Sequence, residues 1–244
     1  MLAMGVDGAA LTAAIVLFAS FLAGFFGFGF GITATAGLSL GMDLVHAVNV
    51  VNVSSPFVTA SLFWRLRAHV GWRAVRRIAP WLVIGVAGGV LALAAFEGSL
   101  LVRVLGAFVV AVSLWNLSAR PLRVPETTLG DAVAGGLSGL FGGAFNSGGP
   151  PLIAYVYSRP GTPDQLKATL QALFLCSTFA RMAFASAQGV MSADVFWDAA
   201  LATPFAVAGQ YAGNALSSRL SPERFRRAAW LGLLALGVVL GVRG

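Results

Sequence analysis

The sequence predicts an all-α polytopic membrane protein, and three observations carry that prediction. Hydrophobic residues fill 58% of the 244 positions and charged residues only 10%, well under the roughly 25% charge of a chain that folds in water. The apolar residues form continuous runs long enough to cross a bilayer as helix, not the alternation of a barrel strand. The basic residues fall in short clusters between those runs, which encodes membrane topology and does not build a nucleic-acid surface. The net charge of +7 therefore points to a lipid bilayer as partner and to no nucleic acid.

The first run covers 8 to 41 and is interrupted midway by GFFGFGFGI, Gly24 to Ile32. Arg65 is the first basic residue, so the N-terminal stretch lacks the positive start of a secretory signal and reads as mature protein. The second run, 44 to 64, carries Asn49, Asn52, Ser54 and Ser55 ahead of Pro56, and runs at 78 to 96 and 99 to 117 complete the first half. A charged, proline-bearing linker, Arg120 to Pro125, divides the chain into 1–121 and 122–244. In the second half, the run 129 to 157 is broken by GLFGGAFNSGGPP, Gly139 to Pro151. Gln171, Ser177, Thr178 and Arg181 lie in the run 166 to 187. Runs at 195 to 216 and 228 to 242 follow, the last extended by Phe225 while Arg226 and Arg227 snorkel to the headgroups. The single cysteine, Cys176, excludes an internal disulfide and a multi-cysteine metal site, and it reads as a packing residue.

The halves resemble each other. A shift of 115 lays Gly24, Phe26, Gly27 and Phe30 on Gly139, Phe141, Gly142 and Phe145. A shift of 121 lays Asp43, His46 and Ala47 on Asp164, Lys167 and Ala168, and a shift of 124 lays Pro80, Gly85 and Gly89 on Pro204, Gly209 and Gly213. The chain thus reads as a duplicated membrane unit. Charge placement then chooses a topology. If all eight runs crossed once, the basic residues would divide eight to seven between the faces, against the positive-inside rule. If the two glycine-broken runs are hairpins, one face collects thirteen: Arg65, Arg67, Arg73, Arg76, Arg77, Arg120, Arg123, Arg159, Lys167, Arg219, Arg224, Arg226 and Arg227. Arg103 and Arg243 remain on the other face, with Arg181 inside a run. The expected architecture is two inverted repeats, each a glycine-broken hairpin or long broken helix plus three transmembrane helices, with arginine-rich loops cytoplasmic and both termini external.

These broken motifs, the arginine-rich loop after the second run and the duplicated layout resemble the TauE/SafE sulfite exporter family, also called the toluene sulfonate uptake permease family. The likeness covers nearly the whole chain. It implies a multi-pass protein of the bacterial inner membrane that moves a small sulfur-containing anion or organic acid, such as sulfite, a sulfonate or sulfoacetate. Relatives that handle thiosulfate use cysteine pairs, which this chain lacks.

The residues themselves suggest how an anion would be held. Helices broken at membrane depth expose backbone N–H groups that lipid cannot satisfy, and the half-helices starting near Gly31 and near Gly149 or Pro150 would turn a positive dipole end toward an anion. Gly29, Gly31, Gly148 and Gly149 let the substrate approach the backbone. Asn146 and Ser147 either donate to substrate oxygens or cap the half-helix that follows. Asn49, Asn52 and Gln171 either line the pathway or bridge helices, whereas the serines and threonines of these runs bond to their own helix backbone. Arg181, about 21 Å along its helix from Lys167, either binds the anion or snorkels outward. Phe25, Phe26, Phe28 and Phe30 read as packing, and the Gly85–Gly89 and Gly209–Gly213 spacings as close helix contacts. His46 and Asp43, near the external mouth, either relay protons or are plain loop residues, and they read as loop residues.

No cofactor is expected, and no ATP-binding motif is present, so the energy would come from the anion's own gradient or from a proton or sodium ion. The functional expectation is a secondary transporter working by alternating access, with an anion channel of the same architecture as the alternative. A membrane enzyme would need a cluster of acids or histidines at membrane depth, which the sequence does not offer.

Overall fold

The computed structural model describes residues 6–118, 126–217 and 222–243. The linker Arg120–Pro125, and with it the boundary between 121 and 122, lies outside the described residues, as does Arg219. The side chains of Arg224, Phe225, Arg226 and Arg243 do too. The described residues form ten α-helices and no strand: α1 (Val6–Phe26), α2 (Phe30–Leu38), α3 (Leu44–Leu66), α4 (Trp72–Ala95), α5 (Gly98–Leu117), α6 (Thr128–Phe145), α7 (Gly149–Tyr157), α8 (Pro163–Ala187), α9 (Ala193–Leu216) and α10 (Pro222–Arg243). A 3-10 turn, Arg67–His69, joins α3 to α4.

Among the described residues, three helices, α4, α5 and α8, are long and apolar enough to cross a membrane, and Ala10–Phe26 and Ala229–Val242 are further apolar stretches. Among the described residues these are three of the six spans expected, and α3 and α9 fall short. The physical reason is polar content rather than length in α3 and α9, which have 23 and 24 residues. Asn49, Asn52, Ser54 and Ser55 dilute the first, and Asp194, Asp198, Gln210 and Asn214 the second.

The chain divides into two compact units, each drawing on both sequence halves. Unit 1 is Met1–Val58, Glu97–Ser118 and Ser192–Gly244; unit 2 is Thr59–Phe96 and Ala119–Met191. In unit 1, α1 packs along α9 and α5 along α10. In unit 2, α4 packs along α6 and also against α8.

Glycines make the two tightest seams. A Cβ on Gly209 or Gly213 would lie 2.3 Å from the Leu17 carbonyl oxygen or 2.0 Å from that of Phe21, and one on Gly24 would lie 2.2 Å from that of Gln210. Unit 2 repeats the pattern: Gly85 and Gly89 would meet the Gly136 and Leu140 carbonyl oxygens at 2.2 Å each, and Gly143 that of Val86 at 2.3 Å. Any side chain would push these backbones apart, so the expected close packing at Gly85, Gly89, Gly209 and Gly213 is present. The offset between matching contacts is 124 residues for α4 and α9, the shift expected for those glycines, but 119 for the two glycine-broken runs. Gly24 is therefore matched by Gly143, one helical turn beyond Gly139. Glycines at 135, 139 and 143 recur every four residues, so the sequence fits equally well one turn out of step.

Helix ends repeat with the same offset. Gly27 and Asn146 both adopt left-handed backbone, at φ 82° and 52°, and donate N–H to the carbonyls of Ala23 and Gly142. Asp43 accepts from the His46 N–H as Thr162 accepts from that of Gln165, each side chain closing the start of the next helix. Asn52 thus corresponds to Gln171.

The run 129 to 157 is a hairpin. Asp131, 1% exposed near the start of α6, accepts from Tyr155 Oη (2.9 Å) at the end of α7, from Arg159 just beyond it, and from Arg77 Nε (2.7 Å) in the second turn of α4. Eight single crossings would put Arg77 and Arg159 on opposite faces; here they share one carboxylate. Arg159 also lies 3.6 Å from Glu126, an ion pair too long for a hydrogen bond, and stacks its guanidinium 4.4 Å from the Tyr155 ring centre. Burial alone would lower the pKa of Arg159, but its bonds to Tyr155 and Asp131 outweigh this and raise it.

Candidate functional site: two broken helices

The sequence-predicted site residues fall into both units: Gly29, Gly31, Asn49 and Asn52 in unit 1, and Asn146, Ser147, Gly148, Gly149, Gln171 and Arg181 in unit 2.

In unit 1, α1 stops at Phe26, and Gly27 and Gly29 turn the chain with φ of 82° and 103°, values that only glycine adopts without strain. A Cβ at either would touch nothing within 4 Å, so backbone conformation and not crowding demands glycine here. The second half-helix starts at Phe30, one residue before the expected Gly31, and Gly29 caps it without any side chain. The N–H groups of Phe30, Gly31 and Ile32 point out of its first turn, where no carbonyl of the same helix can reach them. That of Thr33 is the first to be taken, by the Gly29 carbonyl (3.1 Å).

Several buried polar atoms of unit 1 have no protein hydrogen-bond partner. They are Thr33 Oγ1 and Thr35 Oγ1 on α2, both side-chain atoms of Asn52 on α3, Ser113 Oγ on α5 and Gln210 Oε1 on α9. Asn52 is 0% exposed, and an amide so buried and unpaired costs about 1–3 kcal/mol. Asn49 is 1% exposed on the same helix. Ser54 and Ser55 instead donate to the carbonyls of Val50 (3.1 Å) and Val51 (2.7 Å), as expected of hydroxyls in a helix. The phenylalanines pack: Phe25 lies edge-on to Phe26 with centroids 5.0 Å apart, and Phe28 lies 6.3 Å from Trp230.

In unit 2 the break is built differently. Asn146 does not cap the following half-helix; it ends the preceding one in left-handed backbone, a role that asparagine fills more readily than most residues. Ser147, 1% exposed, turns its hydroxyl back to the Phe145 carbonyl (2.9 Å), and its N–H goes to that of Phe141 (3.1 Å). Gly148 is the N-cap of α7 and accepts a hydrogen bond from Ser138 on its carbonyl; a Cβ there would lie 2.2 Å from the Ser138 oxygen. Gly149 opens α7, but the next two residues are Pro150 and Pro151, which have no N–H. The first turn of α7 therefore offers one free donor where that of α2 offers three. Hydrogen-bonding capacity for an anion is greater in the first break, although the polar side chains that caught attention in the sequence are in the second.

Helix α8 lies along this second break. A Cβ on Gly149 would meet Phe174 at 3.8 Å and one on Gly142 would meet Ser177 Oγ at 3.0 Å. One turn further on, Arg181 donates Nε–H to the Gly143 carbonyl (2.9 Å) while only 1% exposed. It does not snorkel outward. Its charge sits at the C-terminal end of a half-helix, where carbonyls lack helical partners and the dipole is negative. Gln171, 4% exposed, lies earlier on α8.

Sequence reasoning missed Asp131 and Asp198, the acids that bind Arg77 and Arg159 and His46. Each stands near the head of an apolar run, a visible signal, but their partners come from distant segments and only the fold names them.

Among curated proteins the chain is similar to a probable sulfite/organosulfonate exporter of Cupriavidus necator, with 31% identity over 223 residues, 88% of this chain and 86% of that protein. No solved structure matches it. The family described as "Sulfite exporter TauE/SafE" matches residues 12–240, and with a helical chain of apolar spans this identifies a membrane transport protein that belongs to the TauE/SafE sulfite exporter family.

Proposed function

We propose that this protein is a secondary transporter that exports a small sulfur oxyanion or organosulfonate across the bacterial inner membrane. It works by alternating access of two inverted repeats, residues 1–121 and 122–244, around their two broken helices. The arginine-rich loops face the cytoplasm and both termini the outside. The observation that carries the reading is the first turn of α2: three backbone donors at a positive helix end, with unpaired Thr33, Thr35 and Asn52 buried in the same unit. Anions are stabilised at such an end by N–H groups and dipole together.

In this reading Gly29, Gly31, Asn49 and Asn52 form the primary anion subsite. Asn146, Ser147, Gly148, Gly149 and Gln171 form the corresponding surface of the second repeat, where the prolines make binding weaker. Arg181 positions the second break by holding the end of α6. Contacts that recur at constant offset support duplication, and the exporter name of the relative favours a carrier over a channel.

The test is efflux from proteoliposomes loaded with sulfite or ethanesulfonate. Faster loss than from protein-free vesicles, with counterflow when unlabelled anion is present outside, is expected. Loss at the protein-free rate for both anions would refute the function.

A further inference from the structure

His46 and Asp198 form the only histidine–carboxylate pair among the described residues, with Nε2 and Oδ2 2.7 Å apart. The pair joins the first turn of α3 to the second turn of α9, and both side chains are partly accessible, at 29% and 20%. Asp43 takes the backbone N–H of His46 (3.1 Å), which fixes the start of α3 and leaves the imidazole to Asp198. Further along the same two helices, Thr203 Oγ1 lies 3.5 Å from Ser54 Oγ while its hydroxyl donates to the Ala199 carbonyl at 2.7 Å. The pairs advance together along both sequences, so α3 and α9 run parallel.

A purely structural ion pair accounts for this poorly. Helix α9 is already locked to α1 through Gly209 and Gly213. At the matching positions of the second half stand Gln165 and Ala74, which cannot titrate. The other charged residues at these ends of α3 and α9 are Asp43 and Asp194; α1 and α2 carry no charge on any described side chain. The imidazole thus faces carboxylates and no competing cation among the described side chains of these elements. One turn to two turns along α3 from His46 stand Asn49 and Asn52, so a change in the seam reaches the anion subsite through a single helix.

We propose that His46 and Asp198 are a proton-binding site that couples proton movement to anion movement. A proton from one aqueous side binds the free Nδ1 of His46, converting a neutral imidazole beside a carboxylate into an imidazolium–carboxylate pair. The pair goes from one negative charge to none, and the charge-assisted bond tightens the seam of α3 with α9. Release of the proton on the other side restores it; nothing is oxidised or reduced. The proposal rests on the transport reading above.

The test uses ethanesulfonate, because a sulfonate stays ionised through the neutral range and any proton that moves with it is carried by the protein. Proteoliposomes containing a trapped pH dye are given a labelled ethanesulfonate gradient, with wild type, His46→Gln and Asp198→Asn compared after a check that all three elute as folded protein. Wild type should move protons with the anion, and both variants should still exchange labelled for unlabelled anion but lose the proton signal to the protein-free level. Anion movement without protons in wild type, or an unchanged proton-to-anion ratio in both variants, overturns the proposal and leaves the transport function standing. If no variant or wild type moves the anion at all, the transport reading fails and the coupling proposal falls with it.

Discussion

Alanine at Gly139 tests the interlocked seam of α4 and α6 more sharply than any other single change. A Cβ there would lie 2.1 Å from the Leu82 carbonyl oxygen, 2.7 Å from the Val86 nitrogen and 2.8 Å from the Gly85 Cα. All three are backbone atoms, so no rotamer change relieves them. Restoring a contact of about 3.5 Å requires the helices to part by on the order of 1.4 Å, which gives up a large share of the dispersion energy along the seam. Overpacking of this kind costs about 1–3 kcal/mol, and the upper half applies because the obstruction is rigid. Alanine returns roughly 1 kcal/mol in helix propensity, leaving a net loss of about 1–2 kcal/mol. The control stands on the same helix. A Cβ at Gly136 meets nothing within 4 Å, so Gly136→Ala should gain the propensity term of about 1 kcal/mol. In mild detergent, melting followed by tryptophan fluorescence should show Gly139→Ala lower than wild type by about 2–8 °C and Gly136→Ala level or higher. Equal melting of the two variants would refute the packing argument.

Two further substitutions probe the second unit. Arg181→Ala leaves the Gly143 carbonyl without its charged donor and should destabilise by about 1–3 kcal/mol, read as a lower melting temperature; an unchanged melt would mean that the arginine does not hold the end of α6. Asp131→Asn removes the charge shared by Arg77 and Arg159. Loss of one partner from a buried pair costs about 3–5 kcal/mol, reduced here because the Arg77 side chain is 41% exposed. A melt within error of wild type would show that this carboxylate does not tie the hairpin ends together.

Much of the fold was legible because it rests on periodicity and glycine. The hairpin of the second half followed from where Arg77 and Arg159 must lie if basic residues share a face, and Asp131 now joins them. Helix contacts at Gly85, Gly89, Gly209 and Gly213 followed from small-residue spacing alone. The offset at which contacts of the two glycine-broken runs match was not legible, since glycines every four residues on α6 satisfy two alignments, and only contacts and left-handed caps distinguish them. The direction of Arg181 was also hidden: sequence places a charge along a helix but not the carbonyl it meets. Asn146 illustrates the same limit, because capping the end of one helix and the start of the next use the same residue type, and only its φ of 52° decides between them. The partners of Asp131 and Asp198 lie tens to hundreds of positions away, beyond any local pattern.

Gly31→Pro tests whether the anion is held by the first turn of α2. The change removes one N–H from that turn, and at the offset of the two hairpins it places proline where the second half already has Pro150, so the helix should tolerate it. A hydrogen bond to a charged group contributes about 1.5–3 kcal/mol, so binding should weaken by roughly 10- to 100-fold. The measurement is the Kd of sulfite or ethanesulfonate from ligand-induced stabilisation of wild type and Gly31→Pro. Affinity should fall by that factor with the ligand-free melting temperature unchanged. Equal affinity in a variant that melts like wild type would contradict it.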